Sequence, residues 1–561
     1  MTDYKIGAHI LESLTTGMYK NSRTIFREYI QNACDAIDSA VKQGLITAKE
    51  AEILINIDSE ARSITIEDNG TGIPAEEFVR VMGNVADSDK RHDKNRGFRG
   101  IGRLCGMAYC ESVVFTAKCA GEGVVSRLTC NAKVLRELLN ERNSGINHYS
   151  AAEVLNEINE FSSEETRDLD AHYFRVELQG INKESGDLLK IYDEDEKNDS
   201  VKHYLECNAP LRYGTGFPEF DTQIHEHAES LGFRISEYKI CLNGDELFKA
   251  YTREFKTSKG PDINFDLMFE DFRDKDGKLI AWAWVALSCF DGVIKKEYPI
   301  RGIRFRKGNI QVGDASTLQR FFKESRGNDY FIGEIFCVSD ELVPNARRDY
   351  FNETPYTKAF EAQLRSFCLN LYYLYKGGSD LNSSYRHARE AEDLIDDLKH
   401  RLKKGYFSDN ESREDAEAQL SQAQEELQQH KSKFTSTAAK SEIMTRIAEH
   451  VTNNHHKDTY ITQGEGGLSK NTHSENRHSS QKSSASSMTN LAQAKQQIIL
   501  SLGYRKDSAC NVPQSPTSGT SLQEQVSSNG LDETRNLLPK PRRQCPILQR
   551  QAERFCALPP H

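Results

Sequence analysis

Two glycine-bearing stretches hold the residues whose types and spacing suggest chemistry. The first, Asp68-Asn69-Gly70-Thr71-Gly72-Ile73-Pro74, sets a carboxylate where a strand gives way to a glycine-rich loop. The second, Gly97-Phe98-Arg99-Gly100-Ile101-Gly102-Arg103, stands directly ahead of Leu104 to Tyr109, an apolar run that reads as a helix. Glycines before a helix let backbone N–H groups close on phosphate oxygens, and the helix N-terminus adds a favourable dipole. The chemistry indicated is the binding of a phosphate-bearing ligand. The pattern is not that of a P-loop, which ends in Lys followed by Ser or Thr. Nor is it a Rossmann fingerprint, whose spacing and preceding strand differ.

These loops need elements to hold them. Residues 53–58 and 63–67 read as two strands joined by a tight turn, the second running straight into Asp68. Upstream, residues 21–41 read as a helix with Phe26, Ile30, Ala33 and Ile37 on its core face. Glu28, Asn32 and Asp35 form the opposite stripe, which alone is the ordinary polar face of an amphipathic helix. A highly charged segment, Asp87 to Arg96, separates the two loops.

The 561 residues leave room for three to four domains at roughly 150 residues each. An apolar fraction of 37%, against 28% charged, is too low for one uniformly packed body. A net charge of -11 argues against a whole-protein basic footprint for nucleic acid or anionic lipid. The longest apolar run, Leu279 to Phe290, falls short of the roughly 20 residues that span a bilayer, and the first residues lack a signal-peptide core. The expectation is a soluble, cytoplasmic protein with no membrane association. Thirteen cysteines without a CxxC pair suggest neither a disulfide framework nor a zinc ribbon. His455, His456, His473 and His478 lie in a polar stretch unsuited to holding a metal.

Composition divides the chain into an α+β globular part and a polar remainder. Residues 1–185 and 186–378 are expected to be two domains, joined through the charged 183–202 region. The second carries strands at 235–242, 263–269, 279–287 and 302–305 and closes with a helix at 357–375. Heptad-spaced apolar residues (Ala388, Ala391, Ile395, Leu398, Leu402, then Ala416, Leu420, Ala423, Leu427) place a helical hairpin or coiled coil at 380–450. Residues 451–561 read as a low-complexity, mostly disordered tail with one amphipathic stretch at 491–502.

The order of the three motifs, Glu28-xxx-Asn32-xx-Asp35-Ala36 on a helix, Asp68-x-Gly70-x-Gly72 after a strand and Gly97-xx-Gly100-x-Gly102 before a helix, resembles the GHKL ATPase superfamily. The likeness is nearest to the heat-shock-90 chaperones, including HtpG. It implies a Bergerat-type ATP-binding α/β sandwich at 1–185 and an α/β middle domain at 186–378. By that resemblance Glu28 is the general base for water, and Asn32 holds Mg2+. Asp68 accepts from the adenine amino group, and Gly72 lets the base approach the backbone. Asp35, Gly70, Gly97, Gly100, Ile101 and Gly102 complete the nucleotide site, under a lid formed by 76–96. The segment Leu342 to Asn352 resembles the middle-domain catalytic loop, with Arg348 reaching the γ-phosphate and Asn352, one helical turn later, assisting. The family's Gly-Thr before its last strand is replaced here by Tyr173-Phe174.

The implied activity is ATP hydrolysis driving a conformational clamp, with ATP and Mg2+ as ligands, protein clients and an ATP-dependent homodimer. The alternative is a MutL- or MORC-like GHKL ATPase acting in DNA transactions or defence. The net charge disfavours DNA as the partner.

Overall fold

The computed structural model describes residues 6–15, 17, 21–85, 100–140, 149–193 and 199–462. Gly97, the charged stretch 86–96 and every expectation placed on 463–561 lie outside these residues. So do the side chains of His455 and His456. The described part is a mixed α+β structure with three hydrophobic clusters.

The first cluster is built on α1 (His9–Thr15), α2 (Thr24–Gln43), β1 (Glu52–Asp58), β2 (Ser63–Asp68), α3 (Ala75–Gly83), β3 (Ser112–Lys118), β4 (Val124–Asn131), α4 (Ala132–Asn140), α5 (Ala151–Ile158) and β6 (Tyr173–Gln179), with β5 (Asn159–Glu165) an exposed strand beside β4. Strand β1 buries Ile53, Ile55 and Ile57, and β2 buries Ile64 and Ile66, the alternation expected of strands with one face on a core. They pair antiparallel with Ile55 opposite Ile66. Helix α2 lays Ile25, Phe26, Ile30, Ala33 and Ile37 against them and stops at Gly44, whose φ of 76° suits a left-handed cap. Truncating a side chain such as Phe26 there would cost about 3–5 kcal/mol.

This core does not end at residue 185. Helix α6 (Val201–Asn208) contributes Val201 and Leu205 to it. After α7 (Pro218–Ser230) has left for another cluster, β7 (Lys239–Leu242) and β8 (Asp245–Glu246) return. Strand β7 runs parallel to β1, with Ile53 opposite Ile240. The sheet is therefore eight-stranded, in the order β5-β4-β3-β6-β2-β1-β7-β8. The border expected at 185/186 is corrected: the first core draws on residues as far as Leu247.

The hairpin β9 (Glu254–Lys256) and β10 (Pro261–Ile263) leads into a second sheet of β11 (Asp266–Arg273), β12 (Leu279–Leu287), β13 (Gly302–Lys307), β14 (Ile310–Val312) and β15 (Ile332–Cys337), ordered β11-β12-β15-β13-β14. Strand β12 is apolar throughout because both of its faces are covered. Ala281, Ala283 and Val285 face the cluster that contains helix α8 (Pro355–Lys404), while Trp282, Trp284 and Ala286 face α7.

Helix α8 is capped by Thr354, whose side chain accepts from the Thr357 N–H, and it ends at Gly405 with φ 69°. The sequence suggested an end near Tyr375 and a new helix after residue 380. Instead the helix continues through Gly377 and Gly378. These glycines serve close packing: a Cβ at 377 would stand 2.6 Å from Met444 Sδ, and one at 378 would stand 2.9 Å from the Phe290 ring. Helix α9 (Asn410–Ala438) meets α8 through Lys431 and Glu392 (2.8 Å) and through the Tyr385 and Phe434 rings. Helix α10 (Glu442–Thr462) crosses the expected tail border at 451. Among the described residues no helix is long and apolar enough to cross a membrane.

Candidate nucleotide site

The polar stripe of α2 is not a solvated face. Glu28 is 5% exposed and Asp35 4%, while Asn32 is half-buried. A carboxylate so deeply placed needs partners. Glu28 Oε1 lies 3.1 Å from Arg348 Nε and 3.4 Å from Arg27 Nη2. Its other oxygen faces Gly102, where a Cβ would stand 2.8 Å away. The glycine at 102 is thus required by the carboxylate it adjoins. Tyr29, the next residue, donates its hydroxyl to the Arg103 carbonyl and accepts from the Gly106 N–H, both at 3.1 Å, and so fixes the following turn on α2. That turn, Gly102–Ala108, is a 3-10 helix where the sequence suggested a helix over 104–109.

Asp68 closes β2 and is 4% exposed. Its Oδ1 accepts from the Gly70 N–H at 2.9 Å, which folds the loop back over the strand end. Gly70 packs on α2, where a Cβ would meet Ala36 Cβ at 2.5 Å. Gly72, at φ 67°, would place a Cβ 2.1 Å from the Lys118 carbonyl, so only glycine fits. Gly100 has the same left-handed φ of 67°, and half-buried Ile101 carries the chain into Gly102. His172 braces the first loop, its Nδ1 lying 2.8 Å from the Gly70 carbonyl. Sequence reasoning missed it, because it reaches the loop only through the pairing of β6 with β2. Phe174, part of the departure from the family pattern, lies opposite Asp68 in that ladder.

Arg348 comes from a turn closed by the Pro344 and Phe351 bridge. Its φ is +55°, unusual for a side chain with a Cβ, and its carbonyl accepts from the Gly313 N–H at 2.8 Å. The neighbouring Arg347 carbonyl accepts from Arg27 Nη2 at 3.3 Å, a second tie between α2 and this loop. The helical spacing expected between Arg348 and Asn352 does not occur. Asn352 is exposed beyond the bridge, and among the described residues no hydrogen bond joins its side chain to Glu28 or Arg348.

The residues present suit a nucleotide and its cation. At Gly70, Gly72 and Gly102 a Cβ would strike Ala36, the Lys118 carbonyl and Glu28, so glycine there lets the loops close on their neighbours. Half-buried Asn32, one turn beyond Glu28, carries an amide oxygen of the hard kind that would suit Mg2+.

Residues 20–165 match the family model described as histidine kinase-, DNA gyrase B-, and HSP90-like ATPase. The chaperone protein HtpG of Chromobacterium violaceum is 31% identical over 136 residues, 21% of this chain and 22% of that protein. HtpG of Methylibium petroleiphilum is 36% identical over 88 residues (15% and 14%). HtpG of Streptomyces coelicolor is 26% identical over 179 residues, 28% of each. The chain thus spans no more than 28% of the length of these relatives. With motif order, glycine geometry and these matches in agreement, the N-terminal region of this chain resembles the GHKL-type ATPase domain of the HtpG chaperones.

Proposed function

We propose that the chain hydrolyses ATP as the motor of a chaperone-like conformational clamp. The observation that carries this reading is the 3.1 Å contact between Glu28 on α2 and Arg348 on the loop after β15. Asp68 would accept from the adenine amino group, and Gly72 would let the base lie against the backbone. Glu28 would orient a water and take its proton as the water attacks the terminal phosphate. Mg2+ on Asn32 would supply charge neutralisation between the phosphates.

With Oε1 turned to both Arg348 and Arg27, that oxygen of Glu28 is occupied by guanidiniums rather than by a water. Transfer of Arg348 from Glu28 to the terminal phosphate would free the base and neutralise the phosphate in one movement. Nucleotide state would then set the position of the Arg348 loop relative to α2, which is the clamp. Pairing of two chains when ATP is bound, and action on protein clients, belong to the same proposal.

The test is ATP turnover by Glu28→Ala and Asp68→Asn, with ATP affinity measured separately. Glu28→Ala should bind ATP and not turn it over, whereas Asp68→Asn should bind poorly. Undiminished turnover by Glu28→Ala would falsify the mechanism. Stimulation by an unfolded protein supports the clamp, and stimulation by duplex DNA alone would replace it with the MutL- or MORC-like reading.

A further inference from the structure

Adjoining the Glu28 and Arg348 pair is a cavity of about 450 Å³ walled by α2, α6, β13 and the Arg348 loop. Five arginines line it: Arg23, Arg27, Arg304, Arg347 and Arg348. The acidic residues of the wall are Asp314 and Asp349. Among the described residues of the nucleotide loops, Asp68, Gly70, Gly72 and Gly102 are not in its wall.

Arg27 and Arg348 share Glu28 and Arg23 lies 3.9 Å from Asp187, but these carboxylates do not reach Arg304. Arg27 is 8% exposed and Arg304 7%, and the Nε–H of each is buried with no hydrogen-bond partner among the described residues. Arg304 donates only to neutral acceptors, the Gln311 side chain at 3.0 Å and the carbonyls of Pro299 and Arg301. Among the described residues no carboxylate pairs with it. A guanidinium cannot shed its proton, so a buried one without a counter-charge is strongly unfavourable unless an anion comes from solution. Cys207 in the same wall registers this field. Burial works against its ionisation, yet Arg304 and His203, whose Nε2 is 3.8 Å from the sulfur, bring the thiol down to about 7.

We propose that this cavity is a second anion site, built for a small polyanion of the pyrophosphate class, whether inorganic or the phosphorylated end of a metabolite. Arg27 and Arg348 are shared with Glu28, so an anion here competes with Glu28 for both guanidiniums. That consequence for turnover rests on the proposed function, but binding itself does not.

The experiment is calorimetric titration of the full chain with pyrophosphate at low salt, alone and beside a saturating non-hydrolysable ATP analogue. One pyrophosphate per chain should bind without the analogue and still bind beside it, more weakly to the extent that the analogue draws Arg348 away. Arg304→Gln should weaken binding about tenfold, the loss of one charge-assisted contact. Arg304 is buried, so circular dichroism must show that variant folded. Two milder changes test the same charge: Arg23→Gln, partly exposed, should weaken binding about threefold, and Asp314→Asn should tighten it about threefold. Binding that the analogue abolishes and the three substitutions leave alone would put the anion in the nucleotide site and overturn the proposal. Binding that the substitutions do not alter in either condition would overturn it as adventitious. If the analogue fails to bind while pyrophosphate still responds to Arg304→Gln, the proposed function falls and the second site stands.

Discussion

Glu334, in the middle of β15, accepts from Arg306 Nε at 2.6 Å, Lys249 Nζ at 2.9 Å and the Tyr213 hydroxyl at 2.5 Å. The side chains of Glu334 and Lys249 expose no surface. Burial alone would raise its carboxyl, but Arg306, Lys249 and the Tyr213 hydrogen bond outweigh that and hold it at about 2. Tyr213 is itself held by Trp284 Nε1 at 3.1 Å. Glu28 has much the same chemistry in different surroundings. Its partner Arg348 sits on a turn with positive φ, a Cβ-less residue faces its second oxygen, and a cavity adjoins it. A buried Glu–Arg pair is therefore no mark of a site. What separates the two is that one has buried partners on every side, Arg306 on the adjoining β13 and Lys249 and Tyr213 on a bridge to each other, while the other borrows a cation from a strained loop beyond its own sheet.

Swapping each glutamate for glutamine should break the molecule in opposite ways. Glu28→Gln is expected to lower turnover by about 10²–10⁴ and to leave ATP affinity within a few-fold. Glu334→Gln, which strands Arg306 and Lys249, should lose about 3–5 kcal/mol of unfolding free energy in urea. A Glu28→Gln protein destabilised as much as Glu334→Gln would erase the distinction.

Acid should act chiefly on the sealed cluster. The folded carboxyl of Glu334, at about 2, lies below the ordinary 4.5. Its contribution to stability is therefore present above pH 4.5 and is lost as pH falls from there toward 2. Urea midpoints between pH 6 and 3 should drop for the native chain and much less for Glu334→Gln. Parallel slopes would show that other carboxylates carry the acid sensitivity.

The smallest effect concerns the loop. Arg348→Gly and Arg348→Ala remove the same cation, but glycine also relieves the left-handed backbone, so it should be more stable than alanine by about 1 kcal/mol. Equal stability would mean that the turn stores no strain.

What the sequence disclosed is local. The α2 periodicity, the β1 and β2 turn and the arrival of β2 at Asp68 are consequences of residues within a few positions of one another. The parallel ladder of β7 on β1 joins segments nearly two hundred residues apart and leaves no mark in either, so the first core was cut short at 185. The helix expected to end near Tyr375 runs on through Gly377 and Gly378, whose packing partners Met444 and Phe290 lie on other elements. His172 had no motif to announce it. The α2 polar stripe looked solvent-facing because nothing local to it shows that Arg348 covers Glu28.

The Thr357 hydroxyl of α8 donates to the Asn352 carbonyl at 2.9 Å, so the Arg348 loop is fastened to the first turn of that helix. Fifty residues at 1.5 Å each make α8 a strut of about 75 Å. Swung about its fastened end as a rigid body, it would carry its far tip through about 1.3 Å for every degree, simple leverage on a rod of that length. A tilt of about ten degrees at Pro355 would thus become a stroke of roughly 13 Å at Lys404.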